Sequence, residues 1–372
     1  MNILIAPDKF KESLSALEVG KAIEKGIQQR LPNAKCILHP LADGGDGSIS
    51  VLSSYFDFET IEVQTLDPLG KLINAYYYVA NDTAFIELAS ASGIVLLKKE
   101  ERDPRKTSSL GTGEMIVDAL SKGIRKIFLF LGGSVTNDVG MGIAQALGFR
   151  FLDKNKKELF PCGENLIHVQ KIDASDLKFP LEEIELTCLC DVQSLLYGKS
   201  GATHIYAAQK GASKADIEYL ECGVQHFAKV IKEHLSIDIQ QVIGGGASGG
   251  IAAGLVGMLG AKAKSGIKTI LELTKFEEEL IAADWVISGE GKLDAQTLEG
   301  KAVSGVSALV KKHRKPFTVF VGQHELSEKE QKILGIHTIF AVMDKAENLE
   351  DGLQSAEYYL QELAFEASFN YS

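Results

Sequence analysis

The fold class is decided by the N-terminal segment MNILIAPDKFK, residues 1–11. Residues 3–6 form a short apolar run, which predicts a buried β-strand. The polar residues that follow Pro7 predict that this strand ends in a turn. Ser15 and Glu18 have the spacing of a capping box, which predicts that a helix begins after the turn. The chain therefore opens as a strand followed by a helix.

The same alternation continues along the chain and returns near the C-terminus. A second strand is predicted at residues 36–41. The segments predicted near the C-terminus are strands at 285–287, 317–321 and 339–342 and helices at about 302–312 and 327–334. This rhythm is typical of a parallel sheet that is covered by helices on both faces. We therefore expect an α/β fold with an open, flavodoxin- or Rossmann-like parallel sheet formed by both chain ends.

The middle of the chain has a different pattern. Residues 58–88 form short alternating segments that are broken by the turn sequence at 67–70, which indicates antiparallel hairpins. At 372 residues the chain is long enough for two domains. We expect a discontinuous Rossmann-like domain, made of residues 1–60 and 284–372, with a mixed α/β domain at 61–283 inserted into it.

Composition and charge exclude several classes of partner. The formal net charge is -11 and the sequence pI is about 5.3, whereas proteins that bind nucleic acids or anionic membranes present basic surfaces. No apolar run approaches the roughly 20 residues of a membrane helix, and the N-terminus does not have the pattern of a signal peptide. The five cysteines indicate reduced thiols rather than a disulfide framework. A cytoplasmic protein is expected, and the sequence leaves open whether it forms a homo-oligomer.

Polar side chains follow the predicted strands of the parallel sheet. Asp8 and Lys11 come after the first strand, residues 42–47 after the second, and residues 288–294 after the strand that begins at Trp285. Because ligands bind at the carboxyl ends of strands in open parallel sheets, these groups are expected to meet at one edge. The carboxylates and glycines at 43–47 suit a hard cation such as Mg²⁺. Any one of these segments is equally typical of a plain turn.

Two glycine-containing segments precede helical patterns in the middle of the chain. Residues 131–138 follow an apolar strand, and residues 107–114 lead into a helix. The free N–H groups at a helix N-terminus bind phosphate or carboxylate, although either segment is as typical of an ordinary helix start. Asp191 follows the strand predicted at 184–190, where apolar neighbours favour a raised pKa and general-base chemistry. A helix-capping role explains Asp191 equally well.

Neither of two common nucleotide motifs is complete. The Walker A pattern fails at Gly300-Lys301, because Ala295 stands where its first glycine belongs and Ala302 where Ser or Thr belongs. The pattern G-x-G-x-x-G occurs at 244–249, but it belongs to no clear βαβ unit and has no suitable acidic residue about 20 positions on. A phosphate loop or a close backbone approach explains these glycines better than NAD binding.

The ordered motifs together resemble the type I class of the bacterial glycerate kinase family over essentially the whole chain. They are residues 6–14, 41–47, 87–93, 107–108, 111–114, 132–134, 136–138, 190–192, 209–212, 244–250 and 288–291, followed by Asp294, Gln296, Gly300 and Lys301. Four positions depart from the family pattern. Glu12 stands where glycine is common, Arg105 where an apolar residue is usual, and Ser194-Leu195 where the family often has Asn-Pro.

The resemblance implies ATP-dependent, Mg²⁺-assisted phosphorylation of D-glycerate to 2-phosphoglycerate, by in-line transfer in a cleft between the two domains. Asp191 is the expected base or orienter of the hydroxyl, and Lys11 and Lys301 are the expected cationic stabilisers. The expected metal or water ligands are Asp43, Asp46 and Asp294. The residues expected to bind substrate or phosphate are Asp8, Ser92, Gly111, Thr112, Gly113, Gly132, Gly133, Ser134, Asn137, Gly246, Gly289 and Glu290.

Three alternatives to this function remain open at the level of sequence. The first is a kinase for another small hydroxy acid or a sugar, and the second is a nucleotide-binding module without turnover. The third, an NAD-dependent oxidoreductase, is disfavoured by the missing acidic residue.

Overall fold

The structure is a computed structural model that describes residues 1–45, 47–294, 297 and 300–367. The strands are β1 (Asn2–Pro7), β2 (Lys35–Leu38), β3 (Glu59–Leu66), β4 (Leu72–Ala80), β5 (Thr83–Glu87), β6 (Lys126–Phe130), β7 (Arg150–Leu152), β8 (Lys171–Asp173), β9 (Glu185–Leu189), β10 (Lys262–Lys264), β11 (Trp285–Leu293), β12 (Phe317–His324) and β13 (Thr338–Ala341). The helices are α1 (Ala16–Arg30), α2 (Ser48–Leu52), α3 (Ala89–Ser92), α4 (Leu110–Ser121), α5 (Met141–Ala146), α6 (Ala202–Tyr206), α7 (Lys214–Leu235), α8 (Ala247–Leu259), α9 (Gly266–Leu273), α10 (Phe276–Ala282), α11 (Ala302–His313), α12 (Glu328–Leu334), α13 (Leu349–Gln354) and α14 (Ala356–Glu366).

The chain divides into two compact units. The first contains Met1–Asp43, Ser50–Tyr55 and the chain from Ser265 onward, and the second contains Gly44–Ile49 and Phe56–Lys264. No helix in the described ranges is long and apolar enough to cross a membrane.

The first unit contains a parallel sheet in the order β13-β12-β11-β1-β2. The central strand is β11, and β1 pairs with it on one side, where Ile5 faces Ile287, and with the edge strand β2 on the other. Ile3 and Ile5 of β1 and Val19 of α1 are fully buried in the core between the strand and the helix. Burial of such side chains contributes about 1.5–3 kcal/mol each. The predicted parallel sheet formed by both chain ends is confirmed.

Two strand lengths differ from the sequence prediction for identifiable reasons. β2 ends at Leu38 rather than at residue 41, because Pro7 of β1 has no N–H for the next bond of the ladder, although the N–H groups of His39 and Leu41 still donate to β1. β11 extends to Leu293 rather than ending at Ile287, because it lies between β1 and β12 and stays paired with β12 as far as His324. The capping box of Ser15 and Glu18 is present as predicted.

The second unit contains a mixed sheet in the order β10-β9-β6-β5-β4-β3. The neighbours among β3, β4 and β5 are antiparallel, which confirms the hairpins predicted from residues 58–88. The pairs from β5 through β6 and β9 to β10 are parallel. The carboxyl ends of β6 and β9 therefore lie side by side and lead into the segments that begin at Leu131 and Cys190.

A separate antiparallel pair, β7 with β8, also belongs to the second unit. Its Phe151 is fully buried and stacks on Phe149, and Phe227 of α7 packs edge-on against it. These rings extend the apolar core of the unit.

Candidate functional site

In the first unit, Asp8 lies directly after β1 at the carboxyl end of the parallel sheet. Its N–H donates to the carbonyl oxygen of Gly289 on β11 at 2.8 Å. The residue is 8% exposed, and its Oδ1 accepts a hydrogen bond from the Lys9 N–H at 2.6 Å. Burial, followed by the negative charge of Asp43, raises the pKa of Asp8 to about 8, and the charge of Glu290 adds to the rise.

Glu290 is a second buried carboxylate beside Asp8 and lies on β11. It is 5% exposed, and it accepts a hydrogen bond from the Thr297 hydroxyl at 2.5 Å. Burial raises the pKa of Glu290 to about 7, and the charges of Asp294 and Asp43 act in the same direction. The Thr297 hydrogen bond and the charge of Lys301 oppose the rise.

The cations predicted for this edge occupy different environments. Lys301 directly precedes α11, and its Nζ lies 3.7 Å from Oδ1 of Asp294. Lys292 approaches the other carboxylate oxygen of Asp294 at 3.8 Å. Lys11 is exposed, and its backbone passes close to Gly291 of β11. The sheet therefore brings the predicted residues of the two chain ends to one edge.

We call Asp8, Asp43, Glu290 and Asp294 the carboxylate cluster. The negative charges of its members act on Asp8 and Glu290 together, so the cluster is electrostatically suited to a divalent cation. Within the described ranges, however, no three His, Cys, Asp or Glu residues are arranged as a complete ligand set. A Mg²⁺ ion here would take one or two carboxylates and complete its shell with water and phosphate oxygens. The predicted ligand Asp46 lies outside the described residues.

The glycine predicted on this edge has a packing role. A side chain on Gly289 would overlap the carbonyl oxygen of Phe320 on the neighbouring strand. This close approach explains the glycine without a ligand, and its role in substrate binding stays a prediction.

In the second unit, the segment that follows β6 is held by its carbonyl groups. We call residues 131–138 the amide loop. The Leu131 oxygen accepts from the Ser248 hydroxyl at 2.9 Å, the Gly133 oxygen from the Ile94 N–H at 2.7 Å, and the Val135 oxygen from the Thr107 hydroxyl at 2.9 Å.

The amides of the same loop are differently placed. Within the described part of the chain, the N–H groups of Gly132, Gly133 and Ser134 donate to no protein acceptor. Gly133 is exposed and Ser134 is 7% exposed. Three consecutive free amides at a strand end form a cradle of the kind that binds phosphate or carboxylate.

Lys210 lies beneath the amide loop and is 2% exposed. Its Nζ donates to the Ser134 hydroxyl at 2.9 Å and to the Thr136 carbonyl at 2.7 Å. Burial lowers the pKa of Lys210 to about 7, and the charge of Asp138 opposes that change. Lys210 belongs to the sequence motif at 209–212, but the motif alone does not indicate a function for it.

Asp138 ends the loop and is fully buried. Its carboxylate accepts from the N–H and the hydroxyl of Ser109 at 2.8 and 2.7 Å, and from the N–H groups of Gly140 and Gly142 at 3.2 Å each. Burial raises the pKa of Asp138, and these hydrogen bonds oppose the rise. Asp138 therefore joins the starts of α4 and α5, a function that turn composition does not reveal.

The other segment predicted to bind an anion, 107–114, packs closely against neighbouring elements. Ser92 and Thr112 are buried and share a hydrogen bond of 2.7 Å between their hydroxyl oxygens. A side chain on Gly111 would overlap the carbonyl oxygen of Leu66, and one on Gly113 would lie 2.5 Å from Cβ of Ala146. These glycines allow α4 to approach β3 and α5, and their role in ligand binding stays a prediction.

The remaining predicted residues of this unit lie near the ends of β6 and β9. Asn137 is fully buried; its Nδ2 donates to the Thr203 hydroxyl at 3.4 Å, and its Oδ1 has no partner in the described part of the chain. Asp191 is half-buried two residues after β9. The Gly246 N–H donates to the Ser194 carbonyl at 2.9 Å, and a side chain on Gly246 would overlap the carbonyl oxygen of Leu195. The close approach suggested for the glycines at 244–249 therefore holds at Gly246.

The departures from the family pattern have local structural correlates. Glu12 has φ of 65°, a backbone conformation that favours glycine. Arg105 forms ion pairs with Asp216 at 3.0 Å and with Glu164 at 3.3 Å, which an apolar residue could not make. The Ser194 hydroxyl is buried and has no partner among the described residues.

Comparison with known proteins places the chain in a family. The model of the glycerate kinase family matches residues 3–368. The chain is 40% identical over 358 residues to the glycerate 2-kinase of Escherichia coli, with 96% of this chain and 94% of that protein covered. It is 38% identical over 366 residues to the glycerate kinase of Halalkalibacterium halodurans, with 97% and 96% covered.

A solved structure gives the same result. The crystal structure of a candidate glycerate kinase 2 from Salmonella typhimurium has a TM-score of 0.83 and 37% identity, with 98% of this chain and 96% of that chain covered. The protein is thus a kinase of α/β fold. It belongs to the glycerate kinase family. Such membership implies ATP as phosphoryl donor and a small molecule as acceptor, and it decides against an NAD-dependent oxidoreductase.

Proposed function

We propose that this protein transfers the γ-phosphoryl group of ATP to the 2-hydroxyl of D-glycerate and releases ADP and 2-phosphoglycerate. The 40% identity to a protein named glycerate 2-kinase supports the acceptor and its position. The observation that carries the proposal is the amide loop, in which three free amides lie beside a hydroxyl bonded to a buried lysine. Both substrates carry anionic groups that such a loop would bind.

The reaction forms one bond and breaks one. The glycerate oxygen bonds to the γ-phosphorus as the bond from that phosphorus to the β,γ-bridging oxygen breaks, and the hydroxyl proton passes to a base. Asp191 is the proposed base or orienter of the hydroxyl. Its half-buried position after β9 supports this role, because β9 is the neighbour of β6, the strand that leads into the amide loop.

We assign the anionic groups of the substrates to the second unit. Gly132, Gly133 and Ser134 would donate to a carboxylate or phosphate, with Asn137 close behind them in the same loop. Ser92, Gly111, Thr112, Gly113 and Gly246 support these elements through the packing and hydrogen bonds described above.

We assign the cation and the positive charges to the first unit. Asp43 and Asp294 would hold Mg²⁺, with Asp8 and Glu290 beside them. When bound, the ion would neutralise charge on the phosphates. Lys301 and Lys11 are the proposed stabilisers of developing charge, and the salt bridge from Lys301 to Asp294 supports the placement of Lys301.

A coupled assay of ADP release with a panel of acceptors tests the function. We expect ADP to form with D-glycerate and ATP together, and at most slowly with ATP alone. A strong preference for another hydroxy acid or a sugar would support the rival kinase instead. Binding of ATP without acceptor-dependent ADP would indicate a nucleotide-binding module without turnover.

A further inference from the structure

Lys210 is a buried charge to which the proposed reaction assigns no part. Transfer of an ammonium group from water to a protein interior costs several kcal/mol unless hydrogen bonds compensate for the lost solvation. The compensating bonds of Lys210 go to Ser134 and Thr136, which both belong to the amide loop. The ammonium group of Lys210 therefore holds the amide loop in position.

The bond to Ser134 fixes the direction of the serine hydroxyl. In its charged form Lys210 has three hydrogens to donate and no acceptor, so Oγ of Ser134 is the acceptor in this bond. The hydroxyl hydrogen of Ser134 then points away from Lys210. In the described part of the chain no acceptor receives it.

The second bond restrains the backbone on the other side of Ser134. Lys210 holds the Thr136 carbonyl at 2.7 Å, while the Val135 N–H donates to the Ser92 carbonyl at 3.0 Å. With these restraints the free amides of Gly132, Gly133 and Ser134 and the hydroxyl hydrogen of Ser134 stand together. A preset group of donors binds an anion without first losing conformational entropy.

We propose that Lys210 is a positioning residue, which presets Ser134 and the amide loop to donate hydrogen bonds to one anionic group of a substrate. The ligand is an oxyanion, either the carboxylate of the acceptor or a phosphate group of the nucleotide. This inference rests on the proposed function, and it assigns to Lys210 no contact with the reacting atoms.

A double-mutant cycle tests the inference. Lys210→Met, Ser134→Ala and the double variant are compared with the unsubstituted protein, with exposed Lys214→Met as the control on the same unit. We expect each single change to raise the KM of the same substrate at least ~10-fold, with a smaller change in kcat, since a hydrogen bond to a charged group is lost. The KM of that substrate in the double variant should be at most about 2-fold higher than in the single variant with the larger rise, because both changes remove the same positioned donor.

The substrate whose KM rises identifies the ligand: D-glycerate for a carboxylate, ATP for a phosphate. Unchanged KM values in Ser134→Ala, or effects that multiply in the double variant, would overturn the inference. An equal rise in both KM values would also overturn it, because general loosening of the fold would explain that result.

Two controls keep the test decisive. Circular dichroism and thermal unfolding establish that each variant is folded, and Lys210→Gln, which retains two amide hydrogens, replaces Lys210→Met in the cycle if the latter does not fold. Glycerate turnover by the unsubstituted protein is measured first. Its absence refutes the proposed function, whereas turnover with unchanged KM values in the variants refutes only the role of Lys210.

Discussion

Two buried carboxylates of this protein are stabilised in opposite ways. Asp138 is fully buried and accepts four hydrogen bonds from Ser109, Gly140 and Gly142. Asp8 accepts one hydrogen bond, from the Lys9 N–H, and the negative charges of neighbouring carboxylates raise its pKa. A carboxylate satisfied by the protein itself is structural, whereas one surrounded by like charges is suited to a ligand that brings positive charge.

The carboxylate cluster gives a prediction about Mg²⁺. Asp43→Ala should raise the Mg²⁺ concentration needed for half-maximal activity and reduce the rise in Tm that Mg²⁺ produces, because an ion that binds the folded state stabilises it. The two measurements are a magnesium titration of turnover and thermal unfolding with and without the ion. The exposed Asp57→Ala serves as control. If Asp43→Ala titrates like the unsubstituted protein, Asp43 is a turn residue only.

Asp191 gives a prediction about proton transfer. Asp191→Asn should lower kcat by at least ~10²-fold, since the amide cannot take the hydroxyl proton. Steady-state kinetics measures the change, and unaltered thermal unfolding would show that the fold is retained. The matched control is Asp57→Asn, which should keep full turnover. Turnover near normal in Asp191→Asn would remove Asp191 from the reaction.

At the scale of single residues, sequence patterns predicted the location of polar groups better than their roles. Asp8 and Glu290 were expected just after their strands. Asp8 lies there, whereas Glu290 lies level with it but inside β11, which is longer than predicted. The hydrogen bonds of Lys210 could not be predicted, since Ser134 and Thr136 are more than 70 residues away and only the fold brings them together. The contact of Lys210 with the amide loop is unpredictable because of this separation along the chain, and not because of the composition.

At the scale of elements, the glycine-rich start of α8 supports the amide loop. Ser248, Gly249 and Gly250 have φ of 53°, 72° and 91°, so the first turn is not helical. The Val139 N–H donates to the Gly249 carbonyl at 3.2 Å, and Val139 itself has φ of 53°. This value is strained for a β-branched residue, and the contacts with α8 hold it in place. The glycines at the end of the G-x-G-x-x-G match thus allow the start of α8 to lie close to the backbone at Val139.

A glycine within α8 gives a prediction about stability. Gly254→Ala should destabilise the protein by at least about 2 kcal/mol, because the added methyl would overlap the Val139 carbonyl oxygen. Gly20→Ala in α1 is the matched control, since a methyl there meets its nearest neighbour outside its own stretch of helix, the Leu38 side chain, at 3.4 Å. The control should be neutral or stabilising by up to about 1 kcal/mol. Denaturant unfolding measures both, and equal stabilities would contradict the packing account.

A buried histidine after β2 gives a prediction about pH. His39 is 3% exposed, and its Nε2 lies 2.9 Å from the Thr274 hydroxyl, which itself donates to the Ile270 carbonyl. His39 is therefore the donor and carries its proton on Nε2 in the neutral form. Burial lowers the pKa of His39 to about 4.

The sign of the effect follows from this lowered pKa. Below about pH 6.5 the unfolded chain binds a proton that folded His39 does not, so the free energy of unfolding falls by up to ~1.4 kcal/mol per pH unit until about pH 4. His39→Gln should lose less stability than the unsubstituted protein between pH 7 and pH 5, and exposed His324→Gln should behave like the unsubstituted protein. Denaturant unfolding at several pH values is the measurement. Identical pH dependence in His39→Gln and the unsubstituted protein would contradict this account.

Periodicity predicted the strands and hairpins well and some element ends poorly. The helix predicted to follow residues 131–138 begins only at Met141, because Val139 and Gly140 have positive φ angles and cannot be helical. The positive φ of Val139 depends on its contact with α8, more than 100 residues later. Contacts of that range leave no local signal in the sequence.

At the scale of the whole molecule, one parallel sheet is built from the two ends of the chain, and a mixed sheet is built from its middle. The family model and the relatives extend over nearly the whole chain, so both sheets belong to the kinase. The family could be predicted from ordered motifs. The predicted domain boundaries and the predicted cleft stay predictions.

The central claim is phosphoryl transfer to the 2-hydroxyl of D-glycerate, and the position of the product's phosphate tests it most directly. The product formed from ATP and D-glycerate is incubated with enolase, which acts on 2-phosphoglycerate but requires a mutase to reach 3-phosphoglycerate. We predict that phosphoenolpyruvate forms with enolase alone. Its formation only after phosphoglycerate mutase is added would contradict the claim.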